Sequence, residues 1–356
     1  FEVTMMKHAA QLAPFALSLI MASSAQAQTP SAMLTDYLVP AYQQLAATAD
    51  AQIDAMETLC QTPSEANLHT AREGFADLLS AYAYAEPVRF GPIKQNDRLE
   101  RLYFWPDRKS TGLKQVQKAL VGEDESVLSV DSLQDKSVAL QGLNALEYVL
   151  HGALADKLKT DANSHSCRHG ETIAQNMWAM ADQMVVDLVA EDGLIAQFEN
   201  PQERSDLFRT EEEILKISFE TFSHFPEIIS ATRLNEWAEE KPNLNVLPLR
   251  RAGLSMKLVL RDIEGVSAAF DAFTGTDEHE EMLASSFDAY RFELDNALRS
   301  AKELSTHSNQ EILADHALRK KVHYLRIVLN SLRDIANDQI APELGLVVGF
   351  SSLDGD

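Results

Sequence analysis

The stretch QGLNALEYVLHG at residues 141–152 has the 3.6-residue periodicity of an amphipathic helix. Its apolar stripe consists of Ala139, Leu143, Leu146 and Leu150. Three polar side chains, Asn144, Glu147 and His151, fall within roughly 60° of one another beside that stripe. A carboxylate at the edge of a buried face requires a cation, a hydrogen-bond donor or a metal as its partner. The stretch therefore predicts a helix that carries a functional site.

Helical periodicity extends along the rest of the chain, and no segment alternates apolar and polar residues convincingly enough to predict a strand. Breaks at proline and glycine disfavour a coiled-coil rod. We predict helices at residues 33–59, 65–85, 137–151, 170–190, 203–223, 250–273, 278–304 and 309–337. The predicted fold is all-α, with two packed bundles of about four helices each. Residues 28–192 form the N-terminal bundle with the motif helix, and residues 193–356 form the C-terminal bundle and an extended tail.

The segment at residues 86–112 is predicted to be a long irregular loop, because three prolines interrupt it. It mixes charged and aromatic side chains, among them Glu86, Arg89, Arg98, Trp105 and Asp107. Long irregular segments in compact proteins commonly carry a function. Two interpretations are open. The segment lines a cleft for an anionic or planar ligand, haem included, or it fastens itself to the bundle by salt bridges.

The first 27 residues have the three parts of a secretory signal peptide. Lys7 supplies a basic start, residues 12–22 supply an apolar core, and AQA at 25–27 is a small-residue cleavage site. The apolar core is shorter than the roughly 20 residues of a transmembrane helix. We predict export to the periplasm with cleavage near Ala27. A buried N-terminal helix is the alternative.

The 356-residue chain has a formal net charge of −23 at pH 7. Such an acidic surface repels nucleic acid and anionic membrane surfaces, so we expect neither as a partner. It favours cations or basic partners, or serves only to keep the protein soluble. Residues 28–356 contain no apolar run long enough for a transmembrane segment.

Cys60 and Cys167 are the two cysteines of the sequence. In an exported protein an even pair predicts one disulfide, here between the end of the first helix and the start of a later one. Two separate buried thiols are the alternative. Neither cysteine belongs to a Cys-x-x-Cys pair, so the sequence does not support thiol redox catalysis.

The stretch at 141–152 also resembles the Gly-x-His-x-x-Glu signature of the imelysin family. Gly142 and Glu147 match the signature, whereas Asn144 stands at the histidine position. Further similar segments are EPVRFGP at 86–92 and RLERLYFWPDR at 98–108. The tail LGLVVGFSSLDGD at 344–356 is close to the ending of the iron-regulated protein A branch. The resemblance implies paired helical bundles, with the motif near the groove between them.

This resemblance makes Glu147 the first candidate, because the family's histidine and glutamate lie one helical turn apart and can reach one cation. Asn144 offers a neutral oxygen, which suits a hard cation and replaces imidazole poorly for zinc. His151 can supply the missing nitrogen, or it is an ordinary helix-end residue before Gly152. The ligand or metal candidates are Glu147, Asn144, His151, Glu86 and Arg89. The groove-lining candidates are Gln141, Arg98, Trp105, Asp107, Arg250 and Arg251.

Arg250 and Arg251 open the predicted helix at 250–273. The resemblance places this segment opposite the motif, across the domain groove. The two arginines are then the candidate cations that neutralise Glu147. A buried pair of this kind fixes a domain interface without any catalysis.

Three functions remain compatible with the sequence. The first is a periplasmic binding or accessory protein in the acquisition of iron or haem, with iron-uptake or other envelope proteins as partners. The second is an envelope interaction protein whose groove is only a seam. The third is a metallopeptidase, which the family's annotation implies and which needs a metal, an activated water and a general base. Asn144 in place of histidine disfavours the third. We expect iron or haem binding, weakened about tenfold or more by Glu147→Ala.

Overall fold

A computed structural model describes residues 31–107, 109–201, 207–275 and 279–347. The predicted signal peptide and the end of the predicted tail lie outside the described residues. Every regular element in these four ranges is helical, so the predicted all-α fold is confirmed. Within them, no helix is both long enough and apolar enough to cross a membrane.

The longer helices are α1 (Val39–Gln61), α2 (Glu65–Ala85), α3 (Thr111–Val121), α4 (Leu143–His151), α5 (His165–Val189), α6 (Glu211–Ile228), α7 (Ser255–Thr274), α8 (Glu281–Leu304) and α9 (His316–Ile335). Shorter α-helices lie at Arg98–Leu102, Val130–Gln134, Leu194–Glu199, Asn309–Ala314 and Ala341–Glu343. Turns of π-helix occupy Met33–Leu38, Ile229–Arg233 and Ala336–Ile340. Turns of 3-10 helix occupy Gly91–Asp97, Glu125–Val127, Val138–Leu140, Ala155–Lys159, Glu236–Ala238 and Leu244–Val246.

Several helix ends follow from local capping. The side chain of Ser64 accepts a hydrogen bond from the Asn67 amide, and α2 spans the predicted residues 65–85. The predicted loop at 86–112 contains two short helical segments and ends earlier, because the Asp107 carboxylate caps the start of α3. The helix predicted at 309–337 is two helices. It breaks at Asp315, whose side chain caps α9.

The motif helix and the helix predicted from residue 250 both begin later than predicted. The motif helix α4 begins at Leu143 and not at residue 137, where Ser137 caps a separate 3-10 turn. Arg250 and Arg251 lie in a turn, and α7 begins at Ser255. The predictions that these arginines open a helix and that the motif helix starts at 137 are therefore wrong.

The two halves of the chain pack as helical bundles. In the N-terminal half, α1 lies along α2 and α5, and α4 packs against α5 and α2. Cys60 and Cys167 join α1 to α5 as a disulfide, with their Cα atoms 5.6 Å apart. In the C-terminal half, α6, α7, α8 and α9 form a four-helix bundle in which α7 contacts α6 and α8, and α9 contacts the same two.

Two buried apolar clusters correspond to these halves. The first draws mainly on residues 33–214, and the second begins at Phe219. Leu194 and Phe198 pack into the first cluster although they follow residue 193. The domain boundary at 193 stays a prediction.

The seam between the halves is formed by α7 packing along α2. A Cβ atom at Gly265 of α7 would lie only 2.2 Å from the carbonyl oxygen of Tyr84 in α2. Glycine is therefore required at this point of the contact between the two helices. This close approach brings the motif helix of one half near the turn that precedes α7 in the other.

His169 on α5 is expected to make the stability of this fold depend on pH in the acid range. It is fully buried, its Nε2 lies 3.1 Å from the Leu140 carbonyl oxygen, and burial lowers its pKa from 6.5 to about 4. Because the folded-state pKa is below the unfolded-state pKa, the unfolded chain takes up the proton first as pH falls from about 6.5 to about 4. The contribution of neutral His169 to the free energy of unfolding is complete above about pH 6.5 and is lost as the pH falls to about 4.

We expect the wild type to lose about 2 kcal/mol more unfolding free energy than His169→Gln between about pH 7 and about pH 4.5. Urea unfolding across this range measures the difference. His323→Gln, at an exposed position on α9, is the control and should follow the wild type. Parallel curves for all three proteins would contradict the expectation.

Candidate functional site

The motif helix α4 is positioned by a close backbone contact at its start. A Cβ atom at Gly142 would lie 2.3 Å from the carbonyl oxygens of Arg101 and Leu102, so only glycine fits there. The apolar face of α4 is fully buried through Leu143, Leu146 and Leu150. Glu147 lies at the edge of that face, on the side of the seam.

Glu147 contacts the turn that precedes α7. Its Oε1 accepts hydrogen bonds from the backbone N–H groups of Arg251, at 2.8 Å, and Ala252, at 3.1 Å. Its Oε2 lies 3.3 Å from the Arg251 guanidinium. Both carboxylate oxygens are therefore engaged by the opposite half of the protein.

The surroundings of Glu147 shift the pKa of its carboxyl in opposite directions. The residue is 4% exposed, and this burial raises the pKa of its carboxyl above the ordinary value. The Arg251 charge and the two backbone N–H groups oppose that rise because they favour the ionised form. Arg251 also lies over the Tyr148 ring, with 5.1 Å from its guanidinium carbon to the ring centroid. The Glu147–Arg251 pair is therefore held by the backbone of the turn before α7 on one side of the seam and by the Tyr148 ring on the other.

A cleft of about 440 Å³ opens beside this pair, between the two halves. Its N-terminal wall is formed by Phe104, Trp105, Pro106, Asp107, Ser110, Gly112, Leu113, Val116, Ala139, Asn144, Glu147 and Tyr148. Its C-terminal wall is formed by Ala231, Thr232, Asn235, Glu236, Asn245, Val246, Leu247, Leu249, Arg250 and Arg251. The cleft thus brings together six of the residues that the sequence singled out: Asn144, Glu147, Trp105, Asp107, Arg250 and Arg251.

Two cleft side chains are fixed by their own hydrogen bonds. The indole N–H of Trp105 donates to the Thr232 carbonyl oxygen across the seam at 3.1 Å, and its ring stacks on Tyr103. The side-chain amide of Asn144 donates to the Phe104 carbonyl oxygen at 2.8 Å. Asn144 therefore holds the loop at Phe104 in place beside the cleft.

His151, Gln141 and Arg98 do not line the cleft. His151 packs against Phe75, with 5.9 Å between the ring centroids, and burial lowers its pKa to about 4. Gln141 accepts a hydrogen bond from the Arg101 side chain at 2.8 Å. Arg98 pairs with Asp187 at 2.6 Å. Gln141 and Arg98 fasten the segment at 86–112 to the N-terminal bundle.

Glu86 belongs to a buried ionic cluster that sequence reasoning missed. The Arg233 guanidinium donates to both Glu86 oxygens, at 2.8 and 2.9 Å, and lies 3.4 Å from Asp262. Arg89 lies 3.6 Å from Glu86 at the rim of this cluster. Arg233 and Asp262 belong to the C-terminal half, so the cluster crosses the seam. A sequence signal existed for Asp262, because it falls beside Ile263 on the apolar face of α7.

Burial and charge pairing act in opposite directions on the pKa values of this cluster. Asp262 is 0% exposed, and desolvation raises its pKa well above the ordinary value. Arg233 is 3% exposed, and its carboxylate neighbours keep its pKa above the ordinary value despite burial. The Arg233 guanidinium also lies 5.0 Å from the centroid of the Tyr103 ring. One buried cation thus contacts two buried carboxylates, and Arg89 adds a second cation at the rim.

No group of three or more histidine, cysteine, aspartate or glutamate side chains is placed to hold a metal ion within the described ranges. Glu147, Asn144 and His151 do not converge, because His151 lies away from the cleft and Glu147 is engaged by Arg251. The residues present do not fit a resident metal held by the motif.

The family model described as Peptidase M75, Imelysin, matches residues 38–336. The chain belongs to the imelysin family. In this imelysin-family member the signature glutamate is Glu147, and asparagine replaces the signature histidine. A search of curated protein sequences found no match.

Two solved structures share the imelysin fold with this chain. The imelysin-like protein from Psychrobacter arcticum 273-4 is 18% identical, with a TM-score of 0.68, and the alignment covers 92% of this chain and 98% of that one. An iron-regulated protein A precursor from Parabacteroides distasonis ATCC 8503 is 11% identical, with a TM-score of 0.69, and the alignment covers 88% of this chain and 95% of that one. At these identities the similarity establishes the fold.

Proposed function

We propose that this protein is an exported binding protein of the cell envelope that acts in iron acquisition and takes haem or an iron complex into the cleft. Three features support the proposal: the family, the signal-peptide pattern at residues 1–27, and the likeness to a protein described as an iron-regulated protein A precursor. The single observation that favours binding over catalysis is the state of Glu147.

Both carboxylate oxygens of Glu147 contact the turn that precedes α7. A metal ion or a water-activating role at Glu147 would first require that Arg251 be displaced. Peptidase chemistry at the motif is therefore disfavoured. Iron enters this proposal as cargo within an organic complex, and the cleft beside Glu147 is where that complex lies.

A second candidate function rests on the contacts across the seam. Glu147 with Arg251 and Glu86 with Arg233 join the two halves without any ligand. These pairs favour an envelope interaction protein in which the groove is only an interface between bundles. The two candidates differ in whether anything enters the cleft.

Titration calorimetry of protein beginning at Gln28, with haem and with ferric citrate, separates them. We expect at least one of the two to bind with a Kd of about 10 μM or tighter, which corresponds to about −7 kcal/mol. Glu147→Ala should weaken that binding about tenfold or more, because the turn carrying Arg250 and Arg251 loses its anchor. Glu73→Ala, at an exposed position on α2, is the control and should bind like the wild type. Binding of neither ligand by the wild type would overturn the proposal and leave the interaction protein in its place.

A further inference from the structure

Arg250 is a cleft-lining cation that has no ion-pair partner among the residues that the structure describes. Its neighbour Arg251 already pairs with Glu147. Across the ranges that the structure describes, the Arg250 guanidinium has neither a hydrogen bond nor an ion pair. Partial burial and the charge of Arg251 both lower the pKa of Arg250, whereas Glu147 raises it. An anion at Arg250 would offset the repulsion and the lost hydration together.

The carboxylates of the described cleft lining are each engaged by backbone N–H groups. Asp107 accepts from the amides that begin α3, at 2.8 and 3.0 Å. Glu147 accepts from the turn that carries the two arginines. Glu236 accepts from the backbone N–H of Asn243. Since these acids already have partners, Arg250 is left available to an anionic ligand.

The N-terminal wall of the cleft is partly apolar. Trp105 is fixed by its hydrogen bond to Thr232, and Tyr148 is fixed by the Gln117 amide at 3.2 Å and by the Arg251 guanidinium. Leu113 and Val116 add aliphatic surface to the same wall. A rigid wall of this kind binds a flat molecule at little cost in side-chain ordering.

We propose that the cleft recognises the carboxylate of a small, flat organic anion, with Arg250 as the anchor and the apolar part of the ligand against Trp105 and Tyr148. A guanidinium presents two parallel N–H donors that match a carboxylate. The cleft volume of about 440 Å³ lies within the roughly 300–1,000 Å³ typical of small-molecule sites. The inference rests on the proposed function, because it names the chemistry of the ligand in the same cleft. Haem propionates and carboxylate chelates of iron share this chemistry.

The test uses benzoate and its neutral isostere benzamide, titrated by saturation-transfer NMR. We expect benzoate to bind the wild type and benzamide to bind at least about tenfold more weakly, since only the carboxylate forms charge-assisted hydrogen bonds with the guanidinium. Arg250→Gln should lose benzoate binding by a similar factor. Arg250→Lys should bind with intermediate affinity, because it keeps the charge and loses the paired donors. Arg168→Gln, an exposed arginine on α5, removes the same charge away from the cleft and should bind like the wild type.

The outcomes separate this inference from the proposed function. Benzoate binding to none of these proteins, or equally to the wild type and Arg250→Gln, overturns the inference. Haem or ferric citrate binding that Arg250→Gln leaves unchanged also overturns it, while the proposed function stands. Benzoate binding through Arg250 in a protein that binds neither haem nor ferric citrate supports the inference, and the proposed function fails.

Discussion

Replacing Arg233 with alanine should lower the free energy of unfolding by about 3–5 kcal/mol, because it leaves Asp262 buried without its cation and Glu86 with only Arg89, 3.6 Å away at the rim. Glu86 and Asp262 are 4% and 0% exposed, so water cannot replace the guanidinium without opening the seam. Urea unfolding followed by circular dichroism measures the loss. Acidification should reduce it, since a buried carboxyl that has lost its cation takes up a proton more readily in the folded protein than in the unfolded chain.

Two further variants test whether buried charge is the cause. Arg291→Ala breaks an exposed pair with Asp271 and should cost about 1 kcal/mol or less. The triple variant Glu86→Gln, Arg233→Met, Asp262→Asn removes the three buried charges of the cluster, leaves Arg89 at its rim, and should be more stable than Arg233→Ala. If Arg233→Ala costs no more than Arg291→Ala, the cluster is not the uncompensated burial described here.

Removing the disulfide should have a comparable effect. Cys60 and Cys167 are 107 residues apart, and the chain-entropy model gives about 4–5 kcal/mol for a closed loop of that length. Measured losses for native disulfides are typically about 2–5 kcal/mol, and we expect the double variant Cys60→Ala, Cys167→Ala to fall in that range. Guanidinium unfolding of both proteins without reductant gives the difference.

The wild type unfolded in the presence of a thiol reductant is the matched control for this pair. It keeps both sulfur atoms in the core and removes only the cross-link. The reduced wild type and the double variant should then unfold at nearly the same denaturant concentration, and the reductant should not affect the double variant. A wild type whose stability is indifferent to reductant would show that the cross-link contributes nothing.

Local sequence predicted helices well where capping alone determines the end. α2 spans the predicted residues because Ser64 caps it. The predicted helix starts were wrong where residues distant in sequence contact the backbone of the predicted first turn. The backbone N–H groups of Arg251 and Ala252 donate to Glu147, and α7 begins only at Ser255. Likewise Gly142 packs against the carbonyl oxygens of residues 101 and 102, and α4 begins after it.

For the candidate site too, the sequence predicted some features and only the structure shows the others. Sequence singled out Glu147 from its place beside an apolar stripe, and the structure gives it a cationic partner at the seam. Sequence did not distinguish Arg250 from Arg251, although one is paired and the other faces the cleft without a partner among the described residues. Adjacent residues of a turn point in different directions, and only the packed turn shows which one reaches the carboxylate.

The sequence by itself determined the all-α class, the even cysteine pair and the motif helix, because periodicity, capping and residue counts are properties of neighbouring residues. The tertiary structure alone decided which charges meet. Glu147 meets Arg251 across 104 residues of chain, and Glu86 meets Arg233 across 147. Such pairs depend on the packing of α7 along α2, which is set by burial over the whole seam and leaves no short-range pattern in the sequence.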